Sequence, residues 1–575
     1  MESPATYFSS IWIVLVAVAA RPGERLEPLI LVAQDVEANC QLEIEMPKLH
    51  GINCPPYPTG SRCLLVTIDA NVLVGCHLAL GWPVPERIVD LIIEVRNITN
   101  GRHGLPIGGL AGALLWFGRP LTGALGNGTT TEQMRCRLEA VTELFVAMRP
   151  SLDWGRALLR GRYMSATANI EATGIPVDQS ILGKLKQDWS AVRNRVIDFV
   201  DRDFGVYRGR RFDMAAFAAW LDRHEIAWPR VHTGQLDLSN NAFREMARAY
   251  PKVRPLKELQ TTLYDFDPLA LTVGQDGRNR TPLRPFASRT GRNQPSAKAS
   301  VLGNAAWVRH LIQPRPGTAF ALIDWSQQEF GIAAALSGDQ AMQLAYKSGD
   351  PYLAMAIAAK AAPQDATASS HSQTRDRFKA CALGAQYGMG AARLARQLDL
   401  AEIQAMELLR SHKATFPRYW SWLDDVEAHA LLRQSQQTVL GWRLAVGSDA
   451  NPRALRNFPM QANGAEMLRL ACCLATENCI TVCAPIHDAL LIEAPIDALD
   501  EIIAKARHLM AEASATVLDG FTLRTDVRVV RAPDRWADER GQAVWAAVER
   551  TLDGENQPVH QRNATCSSAN SRPIS

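Results

Sequence analysis

Apolar residues fall in short unbroken blocks at the start of the chain and again past its middle. Ile11–Val18, Leu29–Ala33 and Leu64–Ile68 have strand length and are rich in Val, Ile and Leu; Pro22-Gly23 separates the first two, which predicts two strands joined by a turn and a third further on. Helical periodicity follows and ends near Met148. Phe320–Ile323 is another four-residue apolar run, which predicts a buried strand delivering Asp324 at its end. Ser326, Gln327 and Glu329 come next, and an Ala-rich run to Leu336 predicts a helix. Residues 341–442 are mostly helical in pattern, with breaks at Pro363 and Pro417. Ala462–Thr476 predicts a long helix with one apolar face. Ile480–Cys483 and Ala489–Glu493 predict a β-hairpin carrying Asp488 at its tip. Gly541–Thr551 predicts a last helix, and the polar stretch Asp553–Ser575 predicts disorder.

Composition narrows the class. The 575 residues are enough for several domains, and 47% apolar with 21% charged residues is the balance of a soluble globular chain. A net charge of only +3 means that nucleic-acid binding must come from local basic patches. The eleven cysteines form no CxxC pair, which argues against zinc; Cys472, Cys473, Cys479 and Cys483 read as buried thiols of a reducing cytoplasm. Ile11–Ala20 is too short to span a membrane, and the charge before it is Glu2 rather than a lysine or arginine, so it reads as a buried strand and not a leader.

Basic positions concentrate in two places. Arg202, Arg208, Arg210, Arg211, Arg223, Arg230, Arg244, Arg248, Lys252, Arg254 and Lys257 lie on helical patterns that could hold duplex phosphates, although Asp201, Asp203 and Asp222 are interleaved. Arg278, Arg280, Arg284, Arg289 and Arg292 lie in the Gly- and Pro-rich stretch 274–296.

The most specific pattern is Arg375, Lys379, Leu383 and Tyr387, four residues apart. On a helix they make one slowly drifting stripe, two cations followed by an aliphatic and an aromatic residue. A structural stripe should not change character along its length. A nucleoside triphosphate lying along it would set phosphates against Arg375 and Lys379, and base and sugar against Leu383 and Tyr387. Gly384, Gly388 and Gly390 lower helix propensity but admit a base pair or second backbone close by. Asp324 and Asp488, each beside an apolar strand, are carboxylates on rigid elements, and oxygen ligands of this kind suit Mg²⁺ shared with substrate phosphates.

These stretches together resemble family A DNA polymerases, the bacterial polymerase I group. Asp324-x-Ser326-Gln327-x-Glu329 resembles the first palm motif, Arg375-x-x-x-Lys379 through Tyr387-Gly388 the fingers motif, Arg453-x-x-x-Asn457-x-Pro459-x-Gln461 the primer-template motif, and His487-Asp488 the third palm motif. Thr290-Gly291-Arg292 and the stretch Glu171–Asp178 also match. The motifs occur in family order over about Arg160–Arg531. There are departures: Leu383 replaces an aromatic residue, Tyr352 stands where many members have histidine, and Ala489 replaces the glutamate after His-Asp, so one carboxylate is absent.

The resemblance implies an α+β right hand with an antiparallel palm sheet, helical fingers and thumb, and a ribonuclease-H-like exonuclease domain in front. Its divisions would be 1–150 a degenerate 3′–5′ exonuclease-like domain, 151–300 thumb and entry to the palm, 301–345 first palm segment, 346–445 fingers, 446–552 second palm segment and 553–575 a disordered tail. It implies template-directed addition of deoxynucleoside triphosphates to a DNA primer 3′-hydroxyl, in replication or repair, by a cytoplasmic monomer. Two Mg²⁺ ions about 3.5–4 Å apart would be bridged by Asp324 and Asp488. Lys379 joins them as catalytic; Arg375, Lys379, Leu383, Tyr387, Gln327 and Glu329 form the nucleotide set, with Glu329 a steric gate against the sugar 2′-hydroxyl fixed by Tyr387 as the fingers close. Arg292, Arg453, Asn457, Gln461 and His487 form the primer-template set. Arg292 would test pairing from the minor groove, where acceptors are shared by all base pairs. Proofreading is not expected. The first strand has no acid, Asp35-Val36-Glu37 follows the second strand instead, Asp69 is a possible second-motif acid, and Arg135 and Arg137 stand on the late helix where an aspartate belongs. A single-subunit RNA polymerase or a catalytically impaired primer-template-binding relic are the alternatives.

Overall fold

The computed structural model describes residues 8–102, 109–121, 125–126, 128–264, 266–303 and 305–554. The expected polar tail lies outside them from residue 555 onward. The chain gathers into two compact units. The first holds the described residues of Met1–Val177, Leu271–Gly303 and Gln313–Arg535, and the second those of 178–270, 304–312 and 536–575.

The N-terminal part of the first unit is a five-stranded sheet of β1 (Ser10–Ala19), β2 (Glu27–Asp35), β3 (Gln41–Glu45), β4 (Cys63–Thr67) and β5 (Ile88–Asp90). Its order is β3-β2-β1-β4-β5, with β1 antiparallel to β2 and parallel to β4. Trp12, Val14, Leu31 and Ala33 enter one apolar cluster, and Ile11, Ile13, Leu15, Ile30 and Val32 enter another. Both faces are covered, which is why β1 and β2 read as unbroken apolar runs rather than alternating ones. β3 and β5 were not anticipated. β3 is a polar edge strand with alternate positions exposed, and β5 is three residues long.

The helix Trp154–Thr173 packs on β5 so closely that a Cβ at Gly161 would lie 1.8 Å from the carbonyl oxygen of Ile88. Only glycine fits there. One residue earlier, buried Arg160 makes two 2.6 Å bonds to buried Glu94. That pair fixes the helix against the helix Leu91–Thr99.

The second sheet of this unit consists of β6 (Thr318–Trp325), β7 (Thr481–Ile486), β8 (Ala489–Pro495) and β9 (Thr525–Arg531), in the order β7-β8-β6-β9 and antiparallel throughout. β6 runs through Asp324 to Trp325, so Asp324 lies inside the strand and not after it. Ile323 and Trp325 are buried while Asp324 faces the other side, half-buried. The long helix Pro452–Glu477 begins ten residues before the expected Ala462 and continues through Pro459. Asn463 Nδ2 donates to the Pro459 carbonyl at 2.8 Å. Pro417 is likewise the first residue of a helix, Pro417–Arg433, where its missing N–H has no partner to lose. Cys472, Cys473 and Cys483 are buried as expected, but Cys479 is exposed, in a turn with φ of 60°.

The second unit is helical, with Gln179–Asp201, Met214–Arg223, Asn240–Ala249 and Arg254–Tyr264. The last helix, Gln542–Leu552, was expected with the second palm segment but packs on Gln179–Asp201. Among the described residues, no helix is long and apolar enough to cross a membrane.

Candidate polymerase active site

β7 and β8 are joined by a two-residue turn, His487-Asp488, closed by the Ile486–Ala489 pair. His487 is exposed and takes φ of 57°, the left-handed region that such hairpin turns demand. The turn lies against the end of β6, where Trp325 N donates to the Asp488 carbonyl at 3.3 Å. Asp324 and Asp488 are thereby brought together, near enough for the Asp488 carboxylate to act on the Asp324 carboxyl. Burial pushes the Asp324 carboxyl up to about 7, and the charges of Asp488 and then Asp526 push the same way. Asp324 Oδ1 is buried without a hydrogen-bond partner.

Gln327 takes φ of 48°, and this sharp turn carries the chain from β6 into the helix Gln328–Ser337. Glu329 falls in its first turn. Tyr387 Oη donates to Glu329 Oε2 at 2.6 Å, and Arg292 Nη2 approaches Oε1 at 3.4 Å. Burial and the bond to Glu329 both raise the Tyr387 phenol. The contact expected between Tyr387 and Glu329 is present in this structure. Arg524 Nη2 donates to Gln327 Oε1 at 3.1 Å, and Ser326 Oγ donates to Asp526 Oδ2 at 2.7 Å.

The stripe lies on the helix Ser372–Gln386, with Tyr387 as its C-terminal cap. Arg375 is bonded to Asp350, and its guanidinium lies 5.8 Å from the ring centroid of Tyr352. Lys379 is exposed and makes no hydrogen bond or ion pair among the described residues. Leu383 is half-buried. Gly388 has φ of 65°, and a Cβ on it would meet Arg453 Cγ at 3.0 Å. Arg453, Asn457 and Gln461 share one face of the long helix, four residues apart, with Arg453 exposed and the other two half-buried.

Asp324, Asp488, Glu329, Tyr387, Arg292 and Gln327 therefore gather at one end of the second sheet. Asp350, Arg524 and Asp526 belong to the same neighbourhood and were missed. Asp526 lies in an alternating stretch, Thr525–Arg531, whose pairing with β6 no local pattern encodes.

Among the described residues, no three His, Cys, Asp or Glu side chains are placed to hold a metal ion by themselves. An oxygen-only pair with one unsatisfied buried oxygen still fits magnesium, which binds through one or two carboxylates and takes the rest of its shell from water and substrate phosphates.

The sequence matches the family described as DNA polymerase family A over residues 233–537, more than half of the chain. The chain belongs to DNA polymerase family A. It is similar to DNA polymerase I of Chloroflexus aurantiacus, with 24% identity over 392 residues that cover 62% of this chain and 41% of the relative. It is similar to the thermostable DNA polymerase I of Thermus thermophilus, with 24% identity over 381 residues that cover 60% and 44%. The chain thus spans less than half the length of these relatives. Among solved structures it is similar to the POL domain of Pol1 from M. smegmatis in complex with DNA primer-template and dNTP, with a TM-score of 0.70 and 19% identity over 92% of this chain and 96% of that one. The mixed helix-and-sheet fold is that of a family A polymerase domain.

Proposed function

We propose that the chain is a template-directed DNA polymerase, adding deoxynucleotides to a primer 3′-hydroxyl and working as a monomer without proofreading. The observation that carries this reading is the meeting of Asp324 and Asp488 at one end of the second sheet, with the Glu329–Tyr387 bond beside them. In this reading β6–β9 are the palm, the Ser372–Gln386 region the fingers, and the helical second unit the thumb. Asp324 and Asp488 would hold two magnesium ions, which when bound lower the pKa of the primer hydroxyl and neutralise charge on the leaving phosphate.

The chain's own groups do the positioning. Lys379, uncommitted on its helix, meets the triphosphate, and Arg375 must exchange Asp350 for phosphate oxygens to join it. Arg453 beside Gly388, with Asn457 and Gln461, lines the primer-template. The Glu329 carboxylate, fixed by Tyr387, forms a wall where a ribose 2′-hydroxyl would fall. An apolar pocket rejects an added hydroxyl poorly, whereas an occupied, hydrogen-bonded wall excludes it. Most of the rate then comes from orientation and charge stabilisation. Primer extension with deoxy- against ribonucleotides tests the reading: deoxynucleotide extension is expected, ribonucleotide preference would make the enzyme an RNA polymerase, and none at all would make it a relic.

The N-terminal sheet supports a degenerate exonuclease-like domain. β1 has no acid, Asp35 accepts from the amides of Glu37 and Ala38, Asp69 caps a helix through Val72 N, and Arg135 is held by Glu43 at 2.6 Å. A mismatched labelled primer incubated with enzyme and Mg²⁺ but no nucleotides should stay intact. Degradation abolished by Asp35→Ala would reverse this assignment.

A further inference from the structure

Asp324 has one register partner on each side in the palm sheet, Ala489 on β8 and Asp526 on β9. Residues directly opposite in antiparallel strands share a face, with Cβ atoms about 4.5–5.5 Å apart. One row across the sheet therefore reads Ala489, Asp324, Asp526. A carboxylate on either flank of Asp324 would add the same charge at the same distance. Ala489 supplies none, and Asp526 does.

Ser326 holds Asp526 in place, and among the described residues no cation is bonded to it. Ser326 Oγ donates to its Oδ2 at 2.7 Å, and Tyr346 Oη in turn donates to the Ser326 carbonyl at 3.0 Å. Arg524, two residues away on the same chain segment, directs its guanidinium to Gln327 and to the carbonyls of Tyr346 and Gly349 rather than to Asp526. Asp526 is exposed, so water reaches it, while the facing Asp324 Oδ1 is buried and unpartnered. A cation drawn to that oxygen lies within the field of the third acid. Mg²⁺ keeps several waters when it binds protein, and an acceptor outside the ligand set grips those waters.

We propose that Asp526 is the third carboxylate of the metal site, acting on the ion through its hydration shell. The proposal rests on the Asp324–Asp488 reading above. The rival role is that of a charge guarding the exposed edge strand β9 against pairing with another chain. An edge guard has no effect on metal affinity, so metal affinity decides between them.

The experiment titrates Mn²⁺ into the full chain with a dideoxy-terminated primer-template, which cannot react, and reads free Mn²⁺ by electron paramagnetic resonance. Asp526→Asn is expected to weaken Mn²⁺ binding about tenfold, as loss of an outer partner does, with primer-template affinity and metal-free melting temperature unchanged. Adding Ala489→Glu should recover most of the loss, because it moves the charge to the other flank of the row. Mn²⁺ affinity in Asp526→Asn within twofold of the parent, with Asp324→Asn clearly weakened, overturns the role of Asp526 and leaves the two-carboxylate reading intact. If Asp324→Asn also binds normally, that reading falls as well. A double variant that recovers nothing shows that charge on the row is not what matters, and overturns the proposal. If Asp526→Asn does not fold, Ser326→Ala frees the carboxylate without removing it. A few-fold loss of Mn²⁺ affinity then supports the proposal, and unchanged affinity overturns it.

Discussion

Asp90 at the end of β5 is fully buried and Asp324 inside β6 is half-buried, and in both burial pushes the carboxyl up to about 7. Their surroundings then diverge. Asp90 accepts from the amides of Ala70, Ile92 and Ile93 at 2.8–3.1 Å, so it stitches the starts of two helices to the sheet. Asp324 has no such donors for Oδ1 and faces Asp488 and Asp526 instead. The same contrast holds more widely. Asp35 and Asp69 are occupied by backbone amides, and Glu171 by Leu283 N and Asn71. The acids of the N-terminal sheet are finished hydrogen-bonding problems. Asp69 also repels Asp90, but their oxygens are met by amides, and Glu493 of the second sheet is met by Arg278 and Arg315; Asp324 faces Asp488 and Asp526 with one oxygen unmet. A buried carboxylate is thus marked as functional by what it lacks, not by its burial or by its raised pKa.

The contrast breaks most sharply on substitution by asparagine. Asp324→Asn or Asp488→Asn should cut primer extension on the order of 10³-fold or more, since each removes a charge that would hold the metals in the proposed reading, while primer-template affinity moves only a few-fold. Asp69→Asn and Asp90→Asn should leave extension within about twofold, because their oxygens serve folding alone. Single-turnover extension by the four purified variants checks this. Full loss in Asp90→Asn, in a folded protein, would erase the distinction between the two sheets.

The next effect in size concerns committed and free cations on the nucleotide helix. Among the described residues Lys379 has no hydrogen-bond or ion-pair partner, whereas Arg375 is bonded to Asp350. Lys379→Ala should lower kcat/KM for the nucleotide on the order of 10²-fold by raising KM and lowering kcat together, because its charge acts in both ground and transition states. Lys379→Arg should recover only part, since a planar fork does not replace a compact ammonium. Unchanged nucleotide kinetics in Lys379→Ala would mean that the stripe does not face substrate.

Smaller still is the gate. Glu329→Ala should raise ribonucleotide insertion relative to deoxynucleotide at least about tenfold, or roughly 1.4 kcal/mol of discrimination. Tyr387→Phe removes only the bond that fixes Glu329 and should move the same ratio by less. A ratio that stays put in Glu329→Ala would make the carboxylate a support for the first turn of its helix.

The legible part of the molecule is the part written locally. β1 and β2 showed as apolar runs because both faces are covered, and Asp324 and Asp488 stood out because each interrupts or ends such a run. The stripe from Arg375 to Tyr387 was readable because helix period and chemistry coincide. Asp526 was not, because its partnership with Asp324 is a matter of strand register between segments two hundred residues apart, and register follows from the whole sheet. The start of the long helix was not legible for a related reason: Pro459 sits inside Pro452–Glu477, which is buried along most of its length, and tertiary packing outweighs the lost hydrogen bond. The placement of the last helix on Gln179–Asp201 is likewise a long-range fact with no local mark.

The subtlest expected effect returns to Asp90 and is read in stability rather than activity. Its folded carboxyl titrates near 7, well above the unfolded value of 3.8. Between those two values the folded state binds a proton that the unfolded state has already lost, so this group makes stability fall as pH rises from about 4 to about 7. Above 7 the folded protein carries a buried carboxylate, and its three amide donors offset only part of that cost. Asp90→Asn keeps an oxygen that can accept from those amides and never ionises. At pH 4.5 the variant should melt close to the parent. At pH 7.5 it should melt a few degrees higher relative to the parent, on the order of what 1–2 kcal/mol gives in a chain of this size. Taking the difference between variant and parent cancels acids that do not interact with Asp90 (Glu171 and Asp324 among them), whereas Asp69, whose charge adds to the Asp90 shift, stays part of the effect. A difference that is flat with pH, or one that turns against the variant as pH rises, would mean that the amides of Ala70, Ile92 and Ile93 keep Asp90 ionised. Backbone donors would then outweigh burial at that position.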